Sequence, residues 1–393
     1  MTHYRRVGHV PPKRHTVHRD EAGNRLPEEL MGTEGFSGAS SLLYHRHSPS
    51  ALLDVAAVDD GRALLRANHP VVPLHLQTGE LPTAGADLVT GRQVLAGNDD
   101  LVLAVAAVAP AAEGRGHSPL YRNAAGDELI FVHQGAATLE TVFGTLELAG
   151  GDYVVVPAGT THRWVPHGDV RALVVEAAGH VVPPRKLLTA DGQFLEHAPY
   201  GERDLRAPTE PLLIADDGGP VEVLVRTRAG LTRHHYAHHP FDVVGWDGCL
   251  YPWALSIGDF EPIVGSLHQP PPVHQTFEGP GFVVCSFVPR PFDFHPDAVK
   301  IPYHHANVDS DEVLFYADGD FMSRAGSGIA QGSITIHPAG FVHGPQPGSW
   351  ERSVDQTATN ETAVMIDTFR PLLLGPAADA IAVPDYLTSW APR

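Results

Sequence analysis

Tyr121-Arg122-Asn123-Ala124-Ala125-Gly126-Asp127-Glu128 opens an apolar stretch that ends at Gly135, and His305-Ala306-Asn307-Val308-Asp309-Ser310-Asp311-Glu312 does the same before Gly319. Each copy has a second half: Pro157-Ala158-Gly159 is followed by His162, as Pro338-Ala339-Gly340 is followed by His343. The chain therefore carries one supersecondary unit twice. Only the later copy keeps two histidines and a carboxylate. In the earlier one Tyr121 stands in the place of the first histidine, and two remaining ligands, Glu128 and His162, do not make a strong metal site.

Working outward from this repeat, 393 residues leave room for two core-bearing units. The 39 glycines and 35 prolines punctuate short β-branched or aromatic runs such as Gly151-Asp152-Tyr153-Val154-Val155-Val156 and Gly281-Phe282-Val283-Val284-Cys285-Ser286-Phe287. Long amphipathic helical periodicity is scarce, so the fold expected is mainly β. The boundary expected from the two copies divides the chain into 1–215, with the degenerate motif, and 216–393, with the complete one.

A formal charge of −19 argues against nucleic acid or an anionic membrane as partner, since both would repel the surface. The longest smooth apolar segment, Leu101 to Ala112, is too short to span a bilayer. No apolar run follows the basic N-terminal residues, so no signal peptide is expected. Cys249 and Cys285 imply no disulfide framework. A reducing cytoplasm is the location expected.

The chemistry is expected at His305, Glu312 and His343. His305 and Asn307 share a face of a strand, whereas Glu312 lies at an odd offset that one uninterrupted strand would send to the other face. A turn through Asp309-Ser310, folding the two segments into a hairpin, removes that difficulty. Two imidazoles and one carboxylate then suit a facial site on a non-haem ferrous ion, with open positions for substrate and dioxygen. His337, at even spacing from His343, is a candidate for substrate contact. His268 and His274 flank a proline run, and either could accept a proton, because an imidazole titrates near working pH. His304 is expected on the opposite side of its strand.

These elements resemble the two half-motifs of the cupin superfamily, and longer strings resemble the homogentisate 1,2-dioxygenase family within it: Leu26-Pro-Glu-Glu-Leu-Met-Gly32, Ser41-Leu-Leu-Tyr-His-Arg46, Pro240-Phe-Asp-Val-Val-Gly-Trp246, Phe287-Val-Pro-Arg290, Pro302-Tyr-His-His-Ala-Asn307 and His343-Gly-Pro345. The resemblance implies a bicupin with two β-sandwich, jelly-roll (double-stranded β-helix) halves, the second carrying the metal. It implies Fe2+ on His305, His343 and Glu312, or Asp311 if the family spacing of six residues is taken literally. The internal repeat favours Glu312, which aligns with Glu128. It further implies His268 as the base, His337, Tyr303 and Phe321 near substrate, and a homo-oligomer, trimer or hexamer. A tyrosine expected after the strand-closing glycine is Phe321 here. The implied reaction is cleavage of 2,5-dihydroxyphenylacetate by O2 to maleylacetoacetate, a step of tyrosine catabolism. A gentisate-like substrate, a zinc or manganese isomerase or hydrolase, and a binding protein without turnover are the alternatives.

Overall fold

The two motif copies fold into equivalent sets of strands that share a register. In the computed structural model, which describes residues 3–59, 65–83, 87–109, 116–324 and 327–391, the first copy supplies strands Leu120–Asn123, Glu128–Gln134, Asp152–Val156 and His162–Pro166. Tyr121 sits opposite His162, and Glu128 opposite Val156. In the second copy His305 forms a bridge opposite His343, and Glu312 of strand Asp311–Asp318 lies opposite His337 of strand Ser333–His337. The hairpin expected between His305 and Glu312 is replaced by this arrangement. His305 and His343 exchange two backbone hydrogen bonds of 2.8 Å, while Glu312 belongs to a separate sheet.

Both copies are closed by the same local chemistry. Asp127 accepts hydrogen bonds from the backbone N–H groups of Ala158 (2.8 Å) and Val181 (2.9 Å), and Asp311 accepts from Ala339 (2.9 Å) and Leu372 (2.8 Å). Each aspartate thereby fastens its Pro-Ala-Gly turn to the segment just past the strand that follows the motif. Gly159 and Gly340 hold φ of 83° and 81°, a region that penalises a Cβ, and donate to the carbonyls of Asn123 (2.8 Å) and Asn307 (2.7 Å).

The chain is mainly β, as expected, and its large sheets form three layers. A seven-stranded sheet, running from Gly144–Ala149 to Leu52–Val58, packs on one face of an eight-stranded sheet, running from Trp253–Ser256 to Arg66–Ala67. Ile130 and Val132 point into this first sandwich with Leu139, Leu146, Val154 and Trp164. Leu129 and Phe131, one step out of phase, point the other way and join Phe277, Val313, Phe315 and Ile366 of a six-stranded sheet. Edge-to-face contact of Phe131 with Phe315 (ring centroids 6.1 Å) and the hydrogen bond between the Tyr153 and Ser286 hydroxyls (2.9 Å) tie the layers. The far face of the six-stranded sheet carries Glu312, Tyr316 and His337.

Strands from both sides of residue 215 share sheets. Val221–Thr227 and Gly230–Tyr236 extend the seven-stranded sheet, Trp253–Ser256 closes the eight-stranded one, and Leu74–Gln77 crosses over to edge the six-stranded sheet beside Ser333–His337. The boundary expected at 215/216 thus does not coincide with a break between sheets. Of the apolar segment 101–112, Leu101–Val108 is a strand with most of its side chains buried, and residues 110–112 lie outside the described residues. No helix among the described residues is long and apolar enough to cross a membrane.

Candidate metal centre

His305, Glu312 and His343 converge on the far face of the six-stranded sheet, with one ligand atom from each lying within 4.8 Å of the others. Glu312 Oε2 is 3.5 Å from His305 Nε2, and Oε1 is 3.3 Å from His343 Nε2. Both histidines have their tautomer fixed from behind. Nδ1–H of His305 donates to the Tyr303 carbonyl and that of His343 to the Phe341 carbonyl, each at 3.0 Å. A carbonyl only accepts, so the Nε2 lone pairs face inward, as metal ligation requires. His343 Nε2 is buried and has no hydrogen-bond partner, a cost that a bound cation removes. The residues fit a divalent metal on these grounds.

Asp311, the alternative carboxylate, is occupied by its two backbone N–H groups. Its neighbour Glu312 points into the centre. Burial alone would raise the Glu312 carboxyl, but its contacts with the His305, His337 and His343 imidazoles hold it well below its ordinary value. It is an anion, ready as a ligand.

His337, expected to meet substrate, is fully buried with both ring nitrogens engaged. Nδ1–H donates to Glu312 Oε1 (2.9 Å), and Nε2 accepts from the Tyr386 hydroxyl (3.1 Å). Burial pushes its pKa down to about 3, so the ring is neutral, and it stacks on His343 at 4.0 Å. It lies beside Glu312 and His343. The register opposite Glu312 makes it the group that orients the carboxylate, which is the correction the structure brings. Phe321 is likewise buried, edge-on to Tyr316 (5.1 Å), and forms part of the wall.

The exposed mouth is made by Tyr303 and His268. Tyr303 meets the His305 ring edge-on at 6.0 Å, and its hydroxyl is 3.4 Å from His268 Nε2. His304 is exposed beside them. His274, by contrast, is buried against Phe287 (4.8 Å), and burial followed by the charge of Arg290 pushes its pKa down to about 3. Such a group is neutral when folded and binds a proton when unfolded below its ordinary value of 6.5. It contributes stability that is complete above that pH and lost as pH falls toward about 3. His274→Phe is expected to reduce the slope of unfolding free energy by about 1.4 kcal/mol per pH unit near pH 5. Urea titrations at pH 7 and 5 measure it, and an unchanged slope would mean that His274 is protonated in the folded chain.

Several participants carry no motif. Asp367 faces Glu312 across neighbouring strands and accepts from the Asn307 amide (3.2 Å). Burial, then the charge of Glu312, push its carboxyl up to about 7. The repeat could have shown it, because Glu176 holds the same register opposite Glu128. Arg324, also buried, donates to the Tyr316 hydroxyl (3.2 Å) and the Gly344 carbonyl, with its guanidinium over Trp390. Trp390 Nε1–H shares that carbonyl at 3.1 Å. The C-terminal tail thereby fixes the residue that follows His343.

In the first sandwich an arginine occupies the equivalent space. Arg92 donates to Glu128 (3.2 Å through its second nitrogen) and Glu176 (2.9 Å), and its guanidinium lies over the Tyr121 ring at 5.4 Å. His162 remains, 3.7 Å from Glu128. Burial would raise the Glu128 carboxyl, but Arg92 lowers it, followed by His162. Arg92→Ala strands the buried Glu128 carboxylate and is expected to destabilise the fold by about 3–5 kcal/mol. The urea midpoint reads this, with partial recovery on adding Glu128→Gln. An unmoved midpoint would show that the guanidinium is not the balancing charge.

Fold and site together define a duplicated β-sandwich protein with one His-Glu-His centre and one arginine-filled counterpart. Residues 46–257 match the family model described as homogentisate 1,2-dioxygenase N-terminal, a span that ends just past strand Trp253–Ser256. A provisionally named dioxygenase of Saccharolobus solfataricus is 38% identical over 99% of both chains. The homogentisate 1,2-dioxygenase of Emericella nidulans is 27% identical over 59% of this chain and 52% of that protein. A cupin 2 conserved barrel domain protein from Leptotrichia buccalis, 8% identical, covers 76% of this chain and 97% of its own with a TM-score of 0.35. The chain belongs to the homogentisate 1,2-dioxygenase family.

Proposed function

We propose that this protein is an Fe2+-dependent ring-cleaving dioxygenase that converts homogentisate and O2 to maleylacetoacetate, both oxygen atoms entering the product. The observation that carries this reading is the pair of inward-facing imidazole Nε2 atoms on one carboxylate, open toward an exposed rim that holds a third imidazole and a phenol. When bound, a ferrous ion supplies Lewis acidity and electron transfer to dioxygen. The chain supplies the rest. His305, Glu312 and His343 hold the ion, and the carbonyls of Tyr303 and Phe341 keep both imidazoles in the required tautomer. His337, backed by Tyr386, fixes the carboxylate. His268, at the mouth, takes the proton that a hydroquinone hydroxyl releases on binding, and Tyr303 positions that imidazole.

Oxygen uptake by iron-loaded protein, with absorbance followed for the ring-opened product, tests the reading. Uptake of one O2 per homogentisate with stoichiometric maleylacetoacetate is expected. Uptake with gentisate alone would move the substrate while keeping the chemistry, and absence of uptake from verified iron-loaded protein would overturn the enzyme assignment.

A further inference from the structure

A second group of metal-binding side chains shares no residue with the His305 centre. His47 follows strand Ser40–His45, Asp216 lies in the connector ahead of strand Val221–Thr227, and His238 lies in the turn after strand Gly230–Tyr236. One ligand atom from each falls within 4.8 Å of the others. The His47 and His238 rings stack at 4.1 Å with planes 12° apart, and both border a cavity of about 60 Å³ with Glu29, Arg122 and Asp242.

The local bonding leaves this group incomplete. Asp216 Oδ2 accepts from His238 Nδ1 (2.7 Å), and its other oxygen accepts from the Gly218 N–H (2.9 Å), which orients the carboxylate. Asp242 accepts from His45 Nδ1 (2.7 Å) and from the His47 backbone N–H (2.8 Å). His47 Nδ1, although 3.3 Å from an Asp242 oxygen, is a buried atom without a hydrogen-bond partner. Asp216, Asp242 and Glu29 outnumber the cations here even if His45, between Glu29 and Asp242, is counted with Arg122. Arg122 is already engaged by Thr161 and Tyr236.

We propose that His47, Asp216 and His238 form a second divalent-metal site, which takes a borderline transition cation such as Zn2+ and clamps three distant chain segments together. Two imidazoles with one carboxylate favour such an ion over calcium or magnesium, which prefer all-oxygen shells. Tetrahedral zinc sets its donors about 3.4 Å apart. Small rotations of half-exposed side chains draw the set in, exchanging the His238–Asp216 hydrogen bond for two metal bonds, with water in the fourth position. The site is independent of the proposed oxygenase activity.

Metal-stripped full-length protein titrated with Zn2+ against a chromophoric chelator tests the site. Wild type is expected to bind two ions, and His343→Ala to retain one of them. His238→Ala should bind one, and Asp216→Asn, which preserves shape on a connector, should weaken that site by about 10-fold or more. Circular dichroism confirms that each variant keeps its β structure. Zinc should also raise the melting temperature of His343→Ala but not of the His238→Ala/His343→Ala pair. The proposal is overturned if His343→Ala binds none, or if His238→Ala and Asp216→Asn both leave stoichiometry and affinity unchanged.

Discussion

His343→Ala is expected to lose bound iron and oxygen uptake together, each by about 100-fold or more. The imidazole contributes the most deeply placed donor of the centre, a buried Nε2 that no protein group satisfies. Its removal leaves one half-exposed histidine and one carboxylate to hold the ion. It also removes the ring against which His337 stacks and one of the three imidazole contacts that hold Glu312 ionised. Iron content by plasma emission and oxygen uptake on the same preparation provide the measurement. Full activity in His343→Ala would refute the ligand assignment. His162→Ala, the matching change in the first sandwich, is expected to keep both iron and turnover because Arg92 already fills that space.

The second large effect is expected at His268, with the opposite division between metal and rate. His268→Ala should retain iron yet slow turnover by about 10²–10⁴-fold, the range for losing a general acid–base group. His268 is exposed and meets the site through the Tyr303 hydroxyl, so its loss disturbs little packing. A structural role would change stability or metal content, while a proton acceptor changes kcat/KM and its pH dependence. The decisive comparison is kcat/KM beside iron content and stability of the same preparation. Unchanged kcat/KM would move the base elsewhere, and Asp367, beside Glu312, would be the next candidate. Tyr303→Phe removes only the hydroxyl facing His268 and should lie between wild type and His268→Ala.

Much of this centre was legible in the linear chain because duplication wrote it twice. The alignment of Glu312 with Glu128 favoured Glu312 over Asp311 as the carboxylate, and Asp127 and Asp311 share the duty of accepting from backbone N–H groups. What spacing could not show was the far side of each face. His337 was placed on the ligand face but assigned to substrate, because its partner Tyr386 arrives from a tail with no motif. Arg92 was invisible for the same reason: it precedes the first motif and reaches Glu128 across neighbouring strands. Strands from both sides of 215/216 share sheets because pairing, unlike motif order, ignores sequence distance, as Leu74–Gln77 beside Ser333–His337 shows. His268 and His274 look alike in sequence, and only burial separates a mouth residue from a core one.

The arginine in the first sandwich bears on how this chain meets scarcity. A metal ligated by side chains must be acquired from a fluctuating supply, and a fold whose buried carboxylates depend on it fails when the supply does. Arg92 is a cation delivered by translation itself, one per molecule, unable to exchange or to be captured by a chelator. Half of the duplicated architecture is thereby insured against starvation for metal. Loss of a metal from the His305 centre would leave the charge balance of the first sandwich untouched.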